Sequence, residues 1–465
     1  MHRSGTRISA AEVLVRLDRT SSVPLRTQLE QQLRHRVQSG DLPAGTVLPS
    51  TRVLADDLGV SRRLIVEAYQ QLVAEGVLAA SERSRTIVAR VGPGVEPPTP
   101  TAPRTFRYDL RPGVPALSEF PRADWLRSLT TAVRHAPDAM LDYPDAQGCE
   151  LLRQVVAQYL RRVRAVDADP DRIVICAGFT QALALLTAVL DSPVVGLENP
   201  GLVSRERIIT SAGGSCVPVT VDRHGLRVDE LGEAIDVVVV TPTHQFPLGV
   251  ELSPQRTAQL LEWVGSDRLV IEDDYDSEFR YNRQPVRALQ GQAPDSVVYV
   301  GTISKTLAPA LRLGWMVLPQ TLIDRVVAAK RDHDTGSPVI EQLALADLIG
   351  SGAYERHLRH IRRLYRQRRD RLLSSLRDHI PDVEVTGASG GLHLVVELPR
   401  SPDPALLVAA AQELDVAVND LGRYGMTDDV DGDCRLVLGY ANTRPEGLDR
   451  AVALLAEAVA SISSA

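Results

Sequence analysis

Two lysines, Lys305 and Lys330, stand against fifty arginines in this chain of 465 residues. Nearly every position that needs only a positive charge has become Arg. A surviving lysine therefore points to chemistry that a guanidinium cannot do: an ε-amine can shed its proton and condense with an aldehyde. Lys305 lies in Gly301-Thr302-Ile303-Ser304-Lys305-Thr306-Leu307-Ala308-Pro309-Ala310-Leu311-Arg312, directly after the apolar run Val297 to Val300. The amine thus stands at the end of a buried strand, with hydroxyls before it and an arginine seven residues after. This set suits a ligand that carries both an aldehyde and a phosphate, as pyridoxal 5'-phosphate (PLP) does. Taken alone, Lys305 also fits an ordinary surface lysine, so its neighbours decide.

Glu272-Asp273-Asp274-Tyr275-Asp276 follows the strand Leu269-Val270-Ile271. Carboxylates at the carboxyl end of a parallel strand face the ligand crevice. Asp273 would hold a pyridine nitrogen protonated. Tyr275, two residues on and on the same side if the strand continues, would donate to a phenolic oxygen. An acidic metal site or a solvated acidic loop fits the same residues. Gly178-Phe179-Thr180-Gln181 follows another apolar run, Val174 to Cys176, and opens an apolar helix. Its exposed amides suit an anion, and Thr302 with Arg312 would complete a phosphate cradle.

These residues need a scaffold. Short apolar runs at 174–176, 194–197, 237–240, 269–271 and 297–300 alternate with helical stretches, the pattern of a mainly parallel sheet with crossover helices. From about residue 336 come long Arg-rich helices, a strand at Gly391 to Leu398 and a last helix from Pro445, which reads as a smaller α+β domain. The segment 91–107 holds five prolines and two glycines. It forms an extended linker between a head at 12–90 and a body at 108–465. Residues 1–90 contain 13 Arg and 9 acidic residues, a balance of +4; the whole chain is −7, which leaves −11 for the rest. Only the head is suited to a polyanion.

The four cysteines are scattered, with no CxxC pair, so neither a zinc site nor a disulfide framework is expected. No apolar stretch approaches a membrane span, and the polar start lacks a signal-peptide core. A cytoplasmic protein follows as the default.

The head reads as helices. Leu25, Leu29, Leu33 and Val37 share one face of a helix from Pro24 to Ser39; Ser50 caps a helix over Thr51 to Leu58, and Ser61 caps another over Arg62 to Glu75. The last two, joined at Leu58-Gly59-Val60, form a helix-turn-helix pattern. Val77 to Ala80 and Thr86 to Ala89 would be strands of a wing. Ser61, Arg62 and Arg63 open the helix that would enter the major groove; Ser50 and Arg52 would meet phosphate, and Arg83 and Arg85 the minor groove. On pattern alone a helical protein-interaction domain fits equally.

Pro24-Leu25-Arg26-Thr27-Gln28-Leu29, Gly40-Asp41-Leu42-Pro43-Ala44-Gly45, Leu48-Pro49-Ser50-Thr51-Arg52 and Leu58-Gly59-Val60-Ser61-Arg62 resemble the winged helix-turn-helix of GntR-type transcription regulators. The family's wing carries glycines where this chain has Ser81 to Arg85. The region 106–462 resembles fold type I PLP enzymes of the aspartate aminotransferase group. Tyr143-Pro144-Asp145-Ala146-Gln147-Gly148, Thr241 to Gly249 and Glu272 to Tyr281 are similar to one branch, the MocR subfamily, in which a GntR-type head is fused to an aminotransferase-like effector domain.

The resemblance implies an α/β protein: a winged helix-turn-helix, then a fold type I domain with a large sheet and a smaller C-terminal part. It implies that Lys305 forms the Schiff base (an aldimine), Asp273 meets the pyridine nitrogen and Tyr275 the phenolic oxygen. Gly178, Phe179, Thr180, Thr302 and Arg312 would hold the phosphate, and Tyr143 would reach that of a neighbouring subunit. Arg435 would grip the carboxylate of an amino-compound effector. Two positions depart from the aminotransferases: Phe246 replaces the Asn of Asn-Pro-x-Gly, and Leu202 replaces an aromatic near the ring. The reading is a dimeric, DNA-binding regulator that senses PLP or an amine joined to it; its rival is a working aminotransferase with a vestigial head.

Overall fold

The chain divides into two compact units, residues 1–104 and 105–465. The computed structural model describes residues 15–81, 85–89, 104–281, 287–387, 390–398, 403–425 and 434–463.

In the first unit, helices α1 (Leu25–Gln38), α2 (Thr51–Leu58) and α3 (Arg62–Ala74) precede an antiparallel pair, β1 (Leu78–Ser81) and β2 (Arg85–Val88). The apolar stripe of α1 turns inward: Leu29 and Leu33 are buried with Leu54, Ile65, Leu72 and Leu78. Ser50 and Ser61 accept the N–H of Val53 and Leu64, each at 3.3 Å, which starts α2 and α3 where the sequence places them. The strands are offset by one residue from the expected runs, because the register Leu78↔Val88 sends both of those side chains into the core.

The second unit runs β3 (Tyr108–Asp109), α4 (Arg122–His135), α5 (Glu150–Arg164), β4 (Ile173–Cys176), α6 (Phe179–Val189), β5 (Val194–Asn199), α7 (Ser204–Ser211), β6 (Ser215–Asp222), β7 (Gly225–Leu226), β8 (Val237–Val240), α8 (Pro254–Val264), β9 (Leu269–Asp274), β10 (Val297–Thr302), β11 (Gly314–Val317), α9 (Ile323–Asp334), α10 (Val339–Gly350) and α11 (Ala353–His379). The large sheet has the order β4-β11-β10-β9-β8-β5-β6-β7. β10, β9, β8, β5 and β6 pair in parallel, whereas β11 is antiparallel to both its neighbours. All five apolar runs lie in strands. β11 and β6 are additions: β11 is a four-residue run enclosed by loops, and β6 alternates too weakly to be read.

The C-terminal part adds β12 (Glu384–Thr386), β13 (His393–Glu397), α12 (Pro404–Glu413), β14 (Val416–Ala417), β15 (Asn419–Asp420), β16 (Arg435–Gly439) and α13 (Pro445–Ser463). Its sheet is β12-β13-β16-β15, and β14 pairs with β3. The expected strand at 391–398 is shorter, because Gly391 and Leu392 belong to the turn leading into it.

Gly301 and Trp315 face each other across β10 and β11. A Cβ on Gly301 would lie 2.3 Å from Trp315 Nε1, so the indole rests on bare backbone four residues before Lys305. Gly301→Ala is expected to cost about 1–3 kcal/mol through overpacking, read by urea unfolding followed by tryptophan fluorescence. An unchanged midpoint would show that the indole has room to move.

Candidate functional site

A cavity of about 310 Å³ opens at the carboxyl ends of β4, β9 and β10, where open α/β sheets place their ligands. Lys305 lines it, and its Nζ donates to the Gly113 carbonyl at 2.5 Å. Burial lowers the pKa of this amine, and the nearby carboxylates of Asp273 and Asp276 only partly offset that. An amine so placed gives up its proton more readily than a solvated one.

Across the cavity, Gly178 opens α6 at φ +97, a conformation that L side chains avoid. A Cβ there would stand 3.7 Å from Thr302 Oγ1 and 3.9 Å from Arg312 Nη1. A helix N-terminus, a hydroxyl and a guanidinium therefore converge on one small volume, the ingredients of an anion seat. Among the described residues the Arg312 guanidinium has no hydrogen bond or ion pair. Phe179 and Thr180 line the same wall.

Asp273, the fifth residue of β9, is 6% exposed. Burial pushes its carboxyl up to about 7, against the pull of Arg205. Arg205 on α7 donates from Nη2 to Asp273 Oδ2, and its Cζ lies 4.7 Å above the ring centre of Phe179. This arginine escapes the sequence reading, since one Arg among fifty carries no signal. β9 stops at Asp274, so the alternation expected to carry Tyr275 does not persist. Tyr275 lines the cavity nonetheless, with its hydroxyl donating to the His244 carbonyl at 2.9 Å.

His244 Nδ1 lies 2.9 Å from Asp276 Oδ2, and its ring centre lies 4.8 Å from that of His393. Burial together with His244 holds His393 well below the usual histidine range, so it is neutral. Its place in the cavity wall was not foreseen. Phe246 and Leu202, the two departures, both face the cavity.

Tyr143 and Arg435 are not brought to it. Tyr143 is 86% exposed. Arg435 opens β16 opposite Glu397, and its Nε is buried without a partner among the described residues. On the head, Arg52, Arg62, Arg63 and Arg85 are exposed. Arg63 pairs with Glu67 at 2.8 Å, and Arg62 Nε reaches Thr51 Oγ1 at 3.4 Å. The side chains of Ser50 and Ser61 are engaged as helix caps. Arg83 lies outside the described residues.

Residues 25–88 match the gntR family of bacterial regulatory proteins, and residues 119–455 match aminotransferase class I and II. The fold and site thus define a class: a helix-turn-helix regulator built on an aminotransferase-type body. Two regulators show the branch. The probable rhizopine catabolism regulatory protein MocR of Rhizobium meliloti is 32% identical over 480 residues, covering 96% of each chain. The HTH-type pyridoxine biosynthesis transcriptional regulator PdxR of Corynebacterium glutamicum is 34% identical over 454 residues, covering 94% of this chain and 96% of the other. The chain belongs to the MocR type of GntR-family transcription regulators. Among solved structures, the kynurenine aminotransferase of Pyrococcus horikoshii, crystallised with PMP, is 26% identical over 77% of this chain and 92% of its own, with a TM-score of 0.71. An aminotransferase fold of this kind implies PLP binding. No helix among the described residues is long and apolar enough to cross a membrane.

Competitive labelling of the two lysines with trace acetic anhydride should show Lys305 titrating below the ordinary value of 10.5. Titration at or above that value would mean that the amine is not desolvated.

Proposed function

We propose that this regulator senses PLP, or an amino compound joined to it, through Lys305 and reports occupancy to DNA through its head. The observation that carries the reading is the convergence of a buried amine, a buried acid and an anion seat on one cavity. When bound, PLP supplies an aldehyde that joins a lysine and a ring that withdraws electrons. Lys305 would hold the aldehyde, Asp273 the ring nitrogen and Tyr275 the phenolic oxygen. Gly178, Phe179, Thr180, Thr302 and Arg312 would hold the phosphate. Arg435, outside the cavity, serves an effector carboxylate only if the small sheet moves.

Phe246 and Leu202 favour capture over turnover. Neither side chain can hydrogen-bond the ring substituents, so the polar tuning that proton transfer needs rests on Asp273 and Tyr275 alone and is weakened more than capture is. Pairing of two chains is supported by the exposed apolar side chains Leu126, Val133 and Leu141, and Tyr143, exposed as well, would then serve the partner's phosphate. Ligand binding regulates only if the two conformations bind it differently. A regulator of this type works in the cytoplasm, on double-stranded DNA, with Arg52, Arg62, Arg63, Arg83 and Arg85 as its contacts.

Borohydride reduction after incubation with PLP, followed by peptide mapping, should label Lys305 and leave Lys330 clear, and Lys305→Ala should remove the visible absorbance. Label on Lys330 alone would refute the assignment. Gel shifts with the DNA upstream of its own gene should respond to PLP in the wild type and not in Lys305→Ala. The double variant Arg62→Ala, Arg63→Ala should lose roughly 1–3 kcal/mol of DNA affinity at fixed salt. Unchanged affinity would remove α3 from the interface.

A further inference from the structure

The arginine that the sequence hid occupies the carboxylate the cofactor needs. Arg205 is 4% exposed and Asp273 6%. The guanidinium lies over Phe179, and its Nη2 donates to Asp273 Oδ2, while its Nε is buried with no partner among the described residues. Both side chains line the cavity that holds Lys305. A buried ion pair of this kind is costly to break from one side, because the remaining charge is left without a counter-ion. A ring nitrogen arriving at Asp273 meets a carboxylate already neutralised by a cation, and a second cation beside it is disfavoured.

We infer that Arg205 competes with the ligand's ring nitrogen for Asp273, so that this chain takes up PLP more weakly than its Lys305 and anion seat alone would allow. This inference rests on the proposed PLP reading and assigns Arg205 a role in setting affinity. The cavity keeps the parts that capture the aldehyde and phosphate, while the third anchor is contested by the protein itself. Occupancy then follows the free PLP concentration instead of saturating at trace levels, which is what a reporter of concentration requires and an enzyme avoids. Arg205 acts through Asp273 and is a positioning residue, with no part in forming the bond at Lys305.

The test is equilibrium dialysis of PLP against the full chain, with visible absorbance as a second signal, for wild type, Arg205→Met, Arg205→Gln, Asp273→Asn and the double variant Arg205→Met, Asp273→Asn. Arg205→Met should lower the dissociation constant by about tenfold, equivalent to about 1.4 kcal/mol. The gain should vanish in the Asp273→Asn background, since the two residues act as one unit. Thermal unfolding without ligand checks that each variant folds. Should Arg205→Met fail that check, Arg205→Gln, which keeps a hydrogen bond and drops the charge, carries the comparison. Unchanged or weaker binding on loss of Arg205 overturns the inference. A gain that persists in the Asp273→Asn background overturns it too, because Arg205 would then act on another part of the ligand. If wild type and every variant fail to retain PLP, and borohydride leaves Lys305 unlabelled, the PLP reading itself falls, a result distinct from retention that is indifferent to Arg205.

Discussion

Strand β9 delivers its charges into the interior, and much of the large domain is arranged to keep them partnered. Glu272, Asp273, Asp274 and Asp276 are all buried, and an uncompensated buried carboxylate costs several kcal/mol. Asp274 meets Arg164, the last residue of α5, at 2.7 Å and the hydroxyl of Tyr299 on β10 at 2.7 Å. Asp276 meets His244, beyond β8. Asp273 meets Arg205 on α7. Glu272 accepts a backbone N–H from Gln290, at 3.1 Å, and burial pushes it up to about 7. One acidic strand end thereby sets where a helix end, a second helix, a loop and a neighbouring strand must come, and the cavity is the space they leave.

What the sequence made legible follows from chemistry that is rare or local. Lys305 stood out because lysine is nearly absent, and the runs of β-branched residues marked the central strands because both faces of those strands are covered. Gly178 and Thr302 could be grouped because each lies at the carboxyl end of an apolar run, and Arg312 because it follows Lys305 by seven residues. The residues that escaped depend on contacts distant in sequence. Arg205 becomes notable only when Asp273, 68 residues away, accepts its hydrogen bond. His393 enters the cavity wall from the small domain. β11 had no pattern of its own, since its four residues are buried between two strands that are themselves far apart in sequence.

The head was readable for the opposite reason: its signals are short-range. Ser50 and Ser61 cap helices through the residue three positions on, and the periodicity of α1 needs no partner to be seen. The same locality sets a limit. An arginine at a helix start looks alike whether it faces solvent, a phosphate or a neighbouring glutamate, and in the free chain Arg63 takes the glutamate, Glu67. On the proposed docking, Arg63 would exchange that exposed pair, which is worth little in water, for a phosphate or base.

The second lysine has a consequence of its own. Lys330 is wholly buried in α9, and its Nζ lies 2.8 Å from both carboxylate oxygens of Asp334, which in turn accepts from Gln181 on α6. An amine locked in this way is closed to reagents. The outer surface, rich in guanidinium groups that do not condense with simple carbonyls, presents no lysine at all among the described residues. Sugars and simple aldehydes that condense with lysine would thus find no accessible lysine outside the cavity at Lys305. The lysine adducts that would spread over a lysine-rich protein are confined here to that one amine.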